Sequence, residues 1–179
     1  MAAIILICLY VIILPYLPQV TYAAKDTFNI KPALVTAGTN APSSSYPAEN
    51  TLVIPAINLQ TQIYDGANAN TLSKGIWHRP STSSPDKGGN TVLAGHRFTY
   101  SDPAVFYHLD KVKQGDEIIT YWSKQKYIYK VIDIKEVSPT AVEIEIPTIE
   151  PRLTMYTCTP LWTSKNRLVI TAELIEENR

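Results

Sequence analysis

The chain has 179 residues, with 16 basic and 16 acidic side chains and two cysteines. A formal net charge of zero excludes the basic footprint of a nucleic-acid binder, and 45% hydrophobic against 18% charged residues excludes a disordered chain. Two cysteines are too few for a disulfide-dense scaffold or a four-cysteine zinc site, and the length suits one folded domain with some chain left over.

Residues 2–22, AAIILICLYVIILPYLPQVTY, contain Cys8 and no charged side chain. A helix of about 20 residues spans roughly 30 Å, enough to cross a bilayer core. The segment reads first as an uncleaved signal anchor, that is, an N-terminal transmembrane helix. It reads second as a cleaved signal peptide, and last as a buried helix. Pro15 and Pro18 kink or end it, and Thr21-Tyr22-Ala23 weakly resembles a signal-peptidase site. No Lys or Arg precedes the run, so orientation follows from the long polar remainder, which either of the first two readings places outside the cytoplasm. Residues 23–50, with Pro32, Pro42, Pro47 and three consecutive serines, read as a flexible linker.

Residues 51–179 carry short, turn-bounded apolar runs. Strands are predicted at 51–54, 91–94, 116–122, 127–137, 152–157 and 168–174, which suggests an all-β barrel or sandwich. A short helix is predicted over residues 103–111, with proline in its first turn.

Cys158 closes one predicted strand and Arg167 opens the next. In an antiparallel hairpin the end of one strand faces the start of the other, so the two would sit side by side at one rim. A cationic neighbour favours a thiolate and holds a developing oxyanion. A lone cysteine is otherwise most often a buried packing residue. Thiol chemistry needs an acid-base partner, and the chain offers His78, His96 and His108. His96 follows Leu93-Ala94-Gly95 at the open end of an apolar strand, where Gly95 lets the backbone turn and another segment approach. Strand-end placement favours His96, but local pattern does not decide among the three. A productive pair holds thiolate and imidazolium together. With ordinary values near 8.5 and 6.5, only about 1% of molecules hold both forms near pH 7. Asp102 is the one carboxylate near His96 in sequence, in a predicted turn.

These residues resemble a known family. Leu153-Thr154-Met155-Tyr156-Thr157-Cys158 resembles the TLxTC signature of sortases, Ala94-Gly95-His96-Arg97 their histidine motif, Arg167-Leu168-Val169 their arginine-bearing strand, and Thr51-Leu52-Val53-Ile54-Pro55 their first strand. The ordered set covers residues 51–175. The resemblance implies an eight-stranded sortase-type β-barrel with one or two short helices, and a cysteine transpeptidase cleaving an LPxTG-like motif between Thr and Gly. It implies Cys158 as nucleophile, His96 as the proton-transferring residue and Arg167 as the oxyanion-steadying residue. Arg97 after the histidine, Pro160 after the cysteine and Leu168 after the arginine resemble classes D or E.

Sorting-motif surface proteins or pilins are then the expected donors, an amine of peptidoglycan or pilin the acceptor, and membrane lipid the contact of the N-terminal helix. Thr157 and Ala94, beside the cysteine and the histidine, are candidates to position substrate. So are Ile144 and Ile146, with Pro139, Pro147 and Pro151 stiffening their loop; the alternative for these isoleucines is packing into the barrel. Trp162 is placed to flank the amine acceptor or to act as a core lid. The segment 81–90 holds one acid next to Lys87, too few oxygen ligands for a hard cation, so neither calcium nor another cofactor is expected. Glu143 and Glu145 read as a solvated face without identified partners. A peptidase using water as acceptor, and a non-catalytic envelope-binding barrel, are the competing functions.

Overall fold

The computed structural model describes residues 50–178 together with Tyr10 and Pro47. Apart from Tyr10, Pro47 and Asn50, the predicted membrane anchor or signal peptide (1–22) and the predicted linker (23–50) lie outside the described residues. Among the described residues, no helix is long and apolar enough to cross a membrane.

Eight strands form a closed barrel: β1 (Thr51–Ile54), β2 (Leu59–Asp65), β3 (Ile76–His78), β4 (Asn90–Ala94), β5 (Glu117–Trp122), β6 (Gln125–Val137), β7 (Arg152–Thr159) and β8 (Asn166–Asn178). Their order around the barrel is β1-β2-β3-β4-β7-β8-β6-β5, with β5 pairing back onto β1. Among the described residues the sheet closes on itself, so every strand has a neighbour on both sides. All pairs are antiparallel except β2 with β3 and β4 with β7.

Alternation builds the interior. Along β7, Leu153, Met155, Thr157 and Thr159 are buried, while Tyr156 and Cys158 are half-buried on the opposite face. Leu52, Ile54, Leu93, Ile118 and Ile170 complete the core at 0% exposure. Each such side chain contributes about 1.5–3 kcal/mol of transfer free energy. The long strands β6 and β8 carry two register shifts, between Ile128 and Tyr129 and between Val131 and Asp133. Such irregularities increase local twist and help a sheet curl.

The helix predicted over 103–111 is replaced by successive turns ending in a three-residue 3-10 turn, Leu109–Lys111. Its hydrogen bonds run from residue i+3 to i, as from Tyr107 to Ala104 and from Leu109 to Phe106. The cause is tertiary: Phe106 and Leu109 are both drawn fully into the core, and the Phe106 N–H is taken by the His96 carbonyl at 3.0 Å.

One topological fact positions the chemistry. Because β4 and β7 are parallel neighbours, both end at the same rim, and β8, antiparallel to β7, begins there. The residues after β4, at the end of β7 and at the start of β8 therefore meet.

Candidate active site

Cys158 is a free, half-buried thiol, and its partner across the β7–β8 ladder is Arg167. Directly opposed residues of an antiparallel pair share a face, with Cβ atoms about 4.5–5.5 Å apart. The juxtaposition expected from sequence is present. The Arg167 guanidinium donates from Nη1 to the carbonyls of Ser164 (3.3 Å) and Asn166 (3.1 Å). Among the described residues no carboxylate neutralises it. A cation left uncompensated beside a thiol can meet negative charge that develops nearby.

His96 reaches the same rim through β4. The parallel register ends at Ala94 opposite Tyr156, and His96, two residues further along the chain, lines the same groove as Cys158. Gly95 fixes this approach. Its N–H donates to the Tyr156 carbonyl (3.3 Å) and its carbonyl accepts from Thr157 Oγ1 (2.8 Å). A Cβ at Gly95 would lie 2.6 Å from Phe106 Cδ2 and 2.9 Å from Val105 Cγ2. Gly95→Ala is therefore expected to destabilise the barrel by about 1–3 kcal/mol through overpacking. A lowered urea midpoint with reduced turnover would show it; an unchanged midpoint would mean that Phe106 can yield.

The other histidines are engaged elsewhere. His78 Nδ1 lies 2.7 Å from Asp65 Oδ1, and its Nε2 lies 2.8 Å from the Ser83 carbonyl. His108 stacks edge-on against Tyr107 and does not line the groove described next.

A groove of about 410 Å³ opens beside Cys158, His96 and Arg167. Trp77, Ala94, Tyr156 and Thr157 contribute to its lining, as do Leu72, Pro139, Val142 and Ile144. A family model described as the sortase domain matches residues 52–175. The chain belongs to the sortase family.

Sortase SrtE1 of Streptomyces coelicolor is 31% identical over 158 residues, covering 78% of this chain and 44% of that protein. Sortase D of Bacillus subtilis is 31% identical over 114 residues, covering 63% of this chain and 55% of its own. The chain thus spans about half the length of these curated relatives. The solved structure of a Clostridium perfringens Sortase D5 transpeptidase is 29% identical and superposes with a TM-score of 0.65, covering 72% of this chain and 79% of that one.

In this sortase the candidates named from sequence fall in different places. Ala94 and Ile144 line the groove. Thr157 also borders it, but its side chain is buried and its hydroxyl is held by the Gly95 carbonyl. Ile146 lies outside the groove lining and is 57% exposed. Trp162 is likewise outside it, packed edge-on against Phe98 with ring centroids 5.0 Å apart. Asp102 comes within 3.7 Å of His96 Nε2, an ion-pair rather than a hydrogen-bond distance. It sits in a tight turn closed by Thr99, whose hydroxyl donates to the Asp102 carbonyl and accepts from the Asp102 N–H. Among the described residues no group of three or more His, Cys, Asp or Glu could hold a metal ion.

Sequence reasoning missed the partners of Glu145. Its carboxylate accepts from Arg79 Nε (2.8 Å) and Nη2 (3.2 Å) and from the Tyr156 hydroxyl (2.9 Å). Burial, then the charge and hydrogen bond of Glu145, push the Tyr156 phenol well above its ordinary value, so it remains a donor. Burial opposes the charge on Arg79, but Glu145 and Tyr156 outweigh it and hold its pKa above the usual value. Arg79 and Glu145 stand 66 positions apart, and no local pattern joins them.

Proposed function

We propose that this sortase is a membrane-anchored cysteine transpeptidase, anchored through residues 1–22, with its barrel outside the cytoplasm. It cleaves an LPxTG-like sorting motif between Thr and Gly and passes the acyl group to an amine of the envelope, either peptidoglycan or pilin. The meeting of Cys158, His96 and Arg167 in the lining of one groove is the observation that carries this reading. The names of Sortase SrtE1 and Sortase D among its relatives support a class D or E character.

The chemistry proceeds in two halves. The Cys158 sulfur, as thiolate, attacks the threonine carbonyl carbon, and the oxygen that gains the electron pair meets the Arg167 guanidinium. As the tetrahedral species collapses, the carbon–nitrogen bond breaks and His96 gives its proton to the leaving glycine amine. A thioacyl-enzyme remains. An incoming amine then attacks the thioester while His96 takes its proton, and the thiolate leaves. Asp102 faces the imidazolium as a charge partner in both halves. The apolar stretch formed by Leu72, Trp77, Ala94 and Ile144 suits the apolar residues at the start of the motif. Thr157 supports that stretch through Gly95, whereas Ile146 and Trp162 lie outside the lining, where Trp162 is left to flank the acceptor.

Incubating the protein with a panel of sorting-motif peptides and rising concentrations of glycine or diamino-acid amines tests this. A ligated product that grows with amine at the expense of hydrolysis is expected. Hydrolysis alone at every amine concentration would make the protein a peptidase, and no thiol-dependent turnover at all would leave a binding barrel.

A further inference from the structure

The connection between β6 and β7, residues 138–151, forms one wall of the groove, yet apolar packing does not hold it. Val142 is 79% exposed, Ile146 57% and Ile149 96%. The isoleucines of this loop, Ile144 apart, therefore do not seat themselves in the barrel. The anchoring of three consecutive residues is polar instead. Asn90, buried in β4, donates through Nδ2 to the carbonyls of Ile144 and Ile146, both at 3.1 Å. Its Oδ1 is fixed in turn by the Thr154 hydroxyl at 2.8 Å. Between those two carbonyls, the Glu145 side chain takes both the Arg79 fork and the Tyr156 hydroxyl.

We infer that Glu145 is a positioning residue that fixes the substrate-binding wall of the groove relative to the strand carrying Cys158. Arg79 supplies one anchor point. Its N–H is bonded to the Val92 carbonyl at 2.9 Å, and its guanidinium lies 4.2 Å above the Trp77 ring, so the fork presented to Glu145 is held in place. Tyr156 supplies the other, two residues before Cys158 and on the same face of β7. The wall and the nucleophile thus share one strand as reference. Loss of the carboxylate frees the wall and also leaves Arg79 as a second uncompensated guanidinium lining the groove with Arg167. The closed sheet does not depend on the contact, because Glu145 lies outside all eight strands.

What the groove binds rests on the transpeptidase reading; the tether itself does not. Two variants of the full chain, Glu145→Ala and Tyr156→Phe, are compared with the parent by amide hydrogen exchange and by peptide-cleavage kinetics. In Glu145→Ala, exchange across residues 138–148 is expected to quicken while β7 and β8 keep their protection. The KM for peptide is expected to rise about tenfold, the scale of a lost charge-assisted hydrogen bond, with kcat within about threefold of the parent. Tyr156→Phe keeps the ring and loses one bond, so a smaller shift in the same direction is expected. The double variant should then fall short of the product of the two, because both act through one carboxylate. Unchanged exchange in the loop would overturn the inference. So would a fall in kcat at constant KM, which would put Glu145 in the chemistry. If the parent cleaves no peptide, the transpeptidase reading fails, while hydrogen exchange still decides the tether.

Discussion

Replacing Cys158 by alanine is expected to lower cleavage of a sorting-motif peptide by at least about 10³-fold, since the covalent route disappears with the sulfur. The substitution is mild for the fold. Cys158 is half-buried on the groove face of β7, opposite Arg167, and its removal leaves the core contacts of Met155 and Thr157 and the β7–β8 ladder in place. Circular dichroism should therefore match the parent while turnover falls. Intact-mass spectrometry during turnover gives the second readout: the parent gains the mass of one acyl group, and the variant gains none. Turnover near the parent level in the variant would sink the mechanism, because Cys158 is the one cysteine among the described residues.

The same site shows what a sequence does and does not make legible. The β7–β8 hairpin was readable because the two strands are neighbours in the chain, so one register sets Cys158 against Arg167. Gly95 was readable as a point of close approach because its place at the end of an apolar run needs no long-range knowledge. The parallel pairing of β4 with β7, which brings His96 and Cys158 to one groove, joins segments 62 positions apart at Ala94 and Tyr156 and leaves no local trace. The choice among three histidines therefore stayed open on local pattern alone. The strands β2 and β3 escaped for a different reason. β2 interleaves Gln60, Thr61 and Gln62 with a single fully buried residue, Ile63, and β3 is three residues long. Neither presents the repeated apolar face on which a period-two reading depends.

The misread segments follow the same logic. Residues 103–111 have helix-compatible spacing, but Phe106 and Leu109 gain more by entering the barrel core than by completing a helical turn. The loop 138–151 reads as apolar from its isoleucines, and its actual fastenings are a buried asparagine and an ion pair. Polar tethers of that kind depend on where Asn90 and Arg79 lie in space. Glu145 accordingly looked like a solvated acid until the fold brought Arg79 and Tyr156 to it.

On the proposed mechanism, Arg167→Ala is expected to reduce kcat by about 10²–10³-fold, the usual effect of removing an oxyanion donor from a preorganised site. Arg167→Lys separates charge from shape. In the native arrangement Nη1 is held by the carbonyls of Ser164 and Asn166, which orients the planar group; the proposed mechanism gives Nε and Nη2 to the substrate oxygen. Lysine carries the same charge on a flexible stem, without a rigid fork that can bond the loop with one nitrogen and the substrate with another. Its kcat is therefore expected to stay at least about tenfold below the parent despite the retained charge. Neither variant removes a core contact, because Arg167 lies at the rim, so a urea midpoint close to the parent should accompany the loss. Full turnover in Arg167→Lys would mean that a point charge suffices and the fork is irrelevant. Near-parent turnover in Arg167→Ala would remove the arginine from the chemistry, leaving Cys158 and His96 to account for it alone.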